Sequence, residues 1–342
     1  MTNRTDPTNG TNPVERKIQL TGGSTYTVSL PKAWATSQEI ESGSVVSCFA
    51  YEDRLVITRK PDSKDQRTVR LDAGTLDSDD LGSTIAAAYV SGCDAVRIGG
   101  VVSAGARREI REEVDRLIGF EIDEEGDGTV IARAMLASGN LPPERALMRM
   151  EMTALSMHED AIEAVLHSDG DTAADVRAAD DDVDRLFALL ARRFQRSEAR
   201  VGERDRGGDG RLTPFDYYTA ARQIERIGDH AEKIAGTIER IDDPVEGSTA
   251  DRIRTLGKRS RDVVRTALSG LFEGDHAELR SAAAAADAIV DDAEQLDREL
   301  YELDPEQGYH LGLVLDSVIR TARYGANVAE AGLQAAMRHR QK

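Results

Sequence analysis

Hydrophobic and polar positions follow three regimes along the chain. Between Arg16 and Lys60 they alternate. Lys17-Ile18-Gln19-Leu20 and Tyr26-Thr27-Val28-Ser29-Leu30 flank a Gly22-Gly23 turn, Pro31-Lys32-Ala33-Trp34-Ala35 opens a short helix, and Val45–Ala50 and Arg54–Thr58 flank Glu52-Asp53. Period two sends successive side chains to opposite faces, so these runs predict paired strands. From Thr68 to about Leu136, strand-like runs (Val69–Leu71, Ala95–Ile98, Gly119–Ile122, Thr129–Ala132) interleave with helical ones (Leu81–Val90, Ala104–Ile118). That βαβαββ order predicts a small α+β sandwich of ferredoxin-like type. After Pro142-Pro143 the apolar residues recur at three and four, predicting helices over 146–166, 173–194, 215–241, 253–271, 277–300 and 305–337.

The chain is therefore expected to be multidomain: a disordered tail (1–13, outside the residues described below), a β-rich head (14–67), a small α+β domain (68–138) and two three-helix bundles (143–245 and 249–340). The bundles are an internal repeat far longer than a solenoid period. Asp180-x-x-Val183-Asp184 in the first echoes as Asp287-x-x-Val290-Asp291 in the second, and Ile234-Ala235 matches Val328-Ala329.

Carboxylate pairs at helix spacing are the chemistry this pattern exposes. Glu225 and Asp229, Asp180 and Asp184, and Asp287 and Asp291 each stand four residues apart, so each pair projects from one helix face. Like charges at that spacing cost a helix roughly 0.2–0.5 kcal/mol, which raises the question of a compensating cation. Oxygen-only donors suit Mg, Mn or Fe. The alternative is a solvated acidic face with Lys233 pairing to Asp229 and Arg226 neutralising Glu225. In the repeat register Ile319 and Arg323 replace Glu225 and Asp229, so the second copy keeps half a carboxylate set, and Arg323 offers itself as an internal cation for Asp287 and Asp291.

Composition narrows the function. The 342 residues carry 62 acidic against 44 basic side chains, a formal net charge of −18. Such a chain repels nucleic acid except through a local patch, and its Lys-poor, Asp-rich surface suggests a halophile. Cys48 and Cys93 form no Cys-x-x-Cys motif, which argues against a thiolate zinc site and a disulfide framework. No apolar run approaches a membrane span and the N-terminus has no signal-peptide h-region, so a cytoplasmic protein without membrane insertion is expected. No nucleophile–base pair accompanies the carboxylates, which points away from an enzyme.

Two segments resemble known families. Glu225-Arg226-Ile227-Gly228-Asp229-His230, with Asp180-x-x-Val183-Asp184 on the preceding helix, resembles the PhoU family over roughly 143–340. That resemblance implies paired three-helix bundles, metal ions (often iron or zinc clusters) on Glu/Asp-x-x-x-Asp motifs, and down-regulation of phosphate uptake through a phosphate ABC transporter and its signalling partners. It makes Asp180, Asp184, Glu225 and Asp229 one site for a divalent or iron-type metal ion, and Asp287 and Asp291 half of another. The run from Arg16 to Trp34, with Gly43-Ser44-Val45-Val46, resembles the AbrB/MazE/SpoVT swapped-hairpin domain over about 14–60. It implies an intertwined homodimer presenting Arg and Lys to DNA. Arg16, Lys17, Lys32 and Arg54 are the candidate phosphate contacts, while Trp34 and Tyr26 read as core aromatics and His230 as a packing group. The pairing of head and body resembles archaeal phosphate-dependent regulators. Two functions follow: a DNA-binding regulator of phosphate uptake, or an adaptor inhibiting a phosphate ABC transporter by protein contact.

Overall fold

The computed structural model describes residues 14–50, 55–59, 67–76, 78–101, 103–135, 141–199, 211–241, 244–303 and 305–340. Residues 1–65 and 66–342 form separate compact units.

In the head, β1 (Gln19–Thr21) and β2 (Thr25–Thr27) form one hairpin, α1 (Lys32–Ser37) follows Pro31, and β3 (Val46–Ala50) pairs with β4 (Leu55–Arg59). No residue described in 14–50 or 55–58 is buried. The alternation that predicted the strands thus has no interior within one copy: Ile18 is 68% exposed, Leu20 59% and Tyr26 77%. Tyr26 departs from its expected place in a core because one copy of so small a unit has no interior to offer it.

The second unit begins with a four-stranded sheet. Its elements are β5 (Thr68–Asp72), α2 (Ser78–Val90), β6 (Ala95–Gly99), α3 (Ala104–Arg116), β7 (Phe120–Gly126) and β8 (Thr129–Ala134), in the predicted βαβαββ order. The sheet runs β5-β6-β8-β7, with β5 and β6 directly paired in parallel. A ferredoxin-like split βαβ would place another strand between them, so that part of the expectation is corrected. The short α2 crossover returns β6 to the edge of its own predecessor. Val69, Leu71, Val96, Ile98, Val130 and Ala132 turn one sheet face onto Ile85, Tyr89, Ile110 and Val114 of α2 and α3.

Six long helices complete the unit: α4 (Pro143–His167), α5 (Gly170–Ala199), α6 (Pro214–Ala235, extended by a 3₁₀ turn to Arg240), α7 (Gly247–Glu273), α8 (His276–Leu303) and α9 (Pro305–Arg340). Their apolar stripes share a continuous core of Ala, Val, Ile and Leu. The start of α6 is fixed locally. Thr213 accepts from the Asp216 backbone N–H, the Asp216 carboxylate accepts from the Thr213 backbone N–H, and Pro214 occupies a position where no N–H is needed. This cap sets the phase of the face on which Glu225 and Asp229 stand.

Candidate metal centre on the helical body

Antiparallel packing of α5 against α6 brings together the two carboxylate pairs that the sequence keeps apart. Asp180 and Glu225 are half-buried, while Asp184 and Asp229 lie at the exposed edge. Gly228 makes the approach possible. A Cβ built there would fall 2.8 Å from Asp180 Oδ1 and 3.5 Å from Val183 Cγ1. Asp180 Oδ1 is buried against this seat and has no hydrogen-bond partner among the described residues. An unpaired buried carboxylate oxygen is costly.

The electrostatics follow from that crowding. Burial, and then the Asp184, Asp229 and Glu232 carboxylates, push the Asp180 carboxyl up to about 7. Burial, and then Asp229, raise Glu225 to about 7 against the opposing pull of Arg222. Asp184 and Asp229 are raised as well, chiefly by burial. Glu232, one turn beyond Asp229, acts on both α5 carboxylates. Sequence reasoning omitted it, although its three-residue step from Asp229 carries the signal.

The cations expected to neutralise this face make no ion pair with it among the described residues, although Arg222 and Arg226 pull Glu225 and Asp229 down from a distance. Lys233 pairs with Asp316 at 3.3 Å rather than with Asp229. Arg226 stands 5.8 Å from the Tyr324 ring centroid and Arg222 5.3 Å from that of Phe187. None of the Asp180, Asp184, Glu225 or Asp229 side chains makes a hydrogen bond or ion pair among the described residues. His230 turns to α9, 3.1 Å from Ser317 Oγ and 3.3 Å from Tyr324 Oη, with burial holding its imidazole down at about 4. In this conformation no three described His, Cys, Asp or Glu side chains already converge on one ion position. The donor set nevertheless suits a hard cation, with four oxygen donors facing across two helices and one orphaned oxygen among them.

The second copy differs at the same places. Asp287 and Asp291 lie exposed on α8. At the positions matching Glu225 and Asp229, Ile319 packs onto the core and Arg323 is exposed. Arg323 forms no ion pair with either aspartate among the described residues. The position matching Gly228 is the buried Ala322, whose methyl closes the kind of seat that Asp180 occupies. In the head, Arg16, Lys17 and Lys32 are exposed, and among the described residues Arg16 donates to the neighbouring Glu15 carbonyl. Arg54 lies outside the described residues.

Residues 147–238, spanning α4 to α6, match the family described as PhoU domain. The helical body carries a PhoU domain. Residues 19–65 match the family described as antidote-toxin recognition MazE, bacterial antitoxin, so the head is a MazE-type domain. The crystal structure of PhoU from Pseudomonas aeruginosa is similar with a TM-score of 0.50 and 22% identity, covering 57% of this chain and 95% of that one. That likeness establishes the PhoU fold of the body. The phosphate transport system regulatory protein PhoU from Streptococcus pneumoniae gives a TM-score of 0.48 at 18% identity, over 56% of this chain and 92% of that one. No curated protein matches the chain. The PhoU match lies on the copy that retains all four carboxylates.

Proposed function

We propose that the chain is a DNA-binding transcriptional regulator of phosphate uptake, whose PhoU body binds a divalent or iron-type metal ion through Asp180, Asp184, Glu225 and Asp229. The observation that carries the metal reading is the buried Asp180 Oδ1, which has no hydrogen-bond partner among the described residues. A bound cation would neutralise this face and link α5 to α6. Asp180 supplies the most buried oxygen, Glu225 the opposite wall, and Asp184 and Asp229 the solvent edge. Capture requires the side chains to turn toward one another and draws α5 toward α6. Asp287 and Asp291 supply only half a set.

The DNA reading rests on the MazE-type head. Its described apolar positions lack an interior, which a second copy would supply, and a homodimer doubles the exposed Arg16, Lys17 and Lys32. The protein works in the cytoplasm as a regulator rather than a catalyst. No described helix is long and apolar enough to cross a membrane.

Metal analysis of the purified full-length protein beside D180A/D229A tests the body, and equal metal content in both removes the assignment. Mobility shifts with phosphate-transport promoter DNA test the head. Wild-type binding by R16A and K32A would move the DNA surface elsewhere. The net charge of −18 favours a second reading, a transporter adaptor using the head only for dimerisation or docking. Deleting residues 1–67 separates the two, since the adaptor would keep transporter inhibition while the regulator would lose promoter control.

A further inference from the structure

A different stripe of α5 faces the middle domain. Asp181, Arg185, Ala188, Arg192 and Arg196 follow one another at three- and four-residue steps, beside the stripe carrying Asp180 and Asp184. Three of these arginines meet the C-terminal ends of α2 and α3. Arg185 Nε donates to the Arg116 carbonyl at 3.1 Å, at the last residue of α3. Arg192, only 6% exposed, donates at 2.6 Å to the Tyr89 carbonyl in the last turn of α2 and at 2.6 Å to the Cys93 carbonyl. Its guanidinium also stands over the Tyr89 and Phe120 rings, at 4.6 and 5.4 Å from their centroids. Arg196 pairs with Asp94 at 2.8 Å.

A buried arginine without a carboxylate is costly to desolvate. Here the orphan carbonyls and negative end of α2, together with two ring faces, compensate it. This arrangement fixes geometry more firmly than an apolar contact would, because the charge is tolerated in one position only. Gly92 follows α2 at φ +85°, and a Cβ there would lie 2.7 Å from Arg196 Cγ. Asp94 completes the chain of contacts. Its Oδ1 accepts from Arg196, and its Oδ2 accepts from the Arg67 backbone N–H at 3.0 Å. The Arg67 carbonyl accepts in turn from the Asp94 N–H at 2.8 Å. Arg67 immediately precedes β5.

We infer that α5 is a shared lever: the helix that contributes Asp180 and Asp184 to the carboxylate cluster also grips the middle domain, and Arg196–Asp94–Arg67 relays a displacement of α5 to β5, the first strand of that domain. The middle domain is then a transmission element rather than a separate ligand sensor. This inference rests on the metal reading of the carboxylates. Drawing Asp180 and Asp184 toward α6 moves one stripe of α5, and the arginine stripe on the same rigid helix moves with it.

Hydrogen exchange followed by mass spectrometry on the full-length protein, with and without Mn(II) alone, tests the relay. In the wild type, Mn(II) is expected to change exchange by at least about threefold in 180–196 and 214–235, and also in 67–72 and 94–99. In R196Q, and separately in D94N, the change should persist in the helices and disappear from the two strands. R196Q cuts the contact from the helix side and D94N from the sheet side, so agreement between them excludes local misfolding. A response confined to the helices in the wild type overturns the relay, as does a strand response that survives both variants. If the helices themselves do not respond, the metal reading beneath the relay fails and the relay falls with it.

Discussion

Gly228 and Asp180 form the most economical pair in the molecule: one side chain is missing so that another can be buried unpaired. G228A is therefore expected to keep the fold, since alanine gains roughly 0.5–1 kcal/mol of helix propensity. It should nonetheless weaken Mn(II) binding by about tenfold or more, or about 1.4 kcal/mol, measured by calorimetric titration. D180N tests the converse. Removing one of the crowded charges should raise the melting temperature of the metal-free protein at pH 8 while reducing metal content. The pH dependence has a definite sign. Asp180 and Glu225 titrate near 7 in the fold against ordinary values of 3.8 and 4.5, so between those limits the folded chain holds protons that the unfolded chain has released. Their contribution to stability is complete below about pH 4 and is lost as pH rises through about 7. Thermal melts of metal-free protein should show this loss relative to D180N/E225Q, and saturating Mn(II) should reverse it at pH 8.

At the scale of elements, α5 and α6 each turn chemically different stripes to different neighbours. α6 turns Glu225 and Asp229 toward α5 while His230 and Lys233 hold α9. α5 turns its carboxylates to α6 while its arginines close the ends of α2 and α3. R192A leaves the Tyr89 and Cys93 carbonyls without their buried donor, an expected loss of about 2–4 kcal/mol, visible as a lower midpoint in urea unfolding. The helices themselves were legible in the sequence because apolar residues at three and four mark a face without reference to partners. The same pattern named the Asp180 and Glu225 pairs. It did not reveal the arginine stripe, because Arg192 within Leu189-Leu190-Ala191-Arg192 reads as a polar interruption until the carbonyls it caps are in view. The parallel pairing of β5 and β6 was hidden for a related reason. A strand's alternation records its two faces and says nothing of which edge it joins.

For the whole molecule, the head and body pose opposite problems. The body buries a continuous aliphatic core of its own, whereas the head leaves Ile18, Leu20 and Tyr26 exposed. L20D is expected to convert a dimer to a monomer in light scattering and to abolish promoter binding, with the melting of the body unchanged. Promoter binding should fall linearly in log–log plots against salt, with a slope set by the phosphates that Arg16, Lys17 and Lys32 of the two heads neutralise, and shallower in K32A.

By itself the sequence determined the three structural regimes, the run of long helices after Pro142, the polarity of the surface and the helix spacing of the carboxylate pairs. Each of these depends on local period or on residue type, which a chain carries in one dimension. Tertiary structure alone decided that Asp180 is buried against Gly228, that Lys233 pairs with Asp316 rather than Asp229, and that Arg192 is tolerated without a carboxylate in contact. Those outcomes depend on distances between residues remote in sequence, and only the packing of one helix on another sets them.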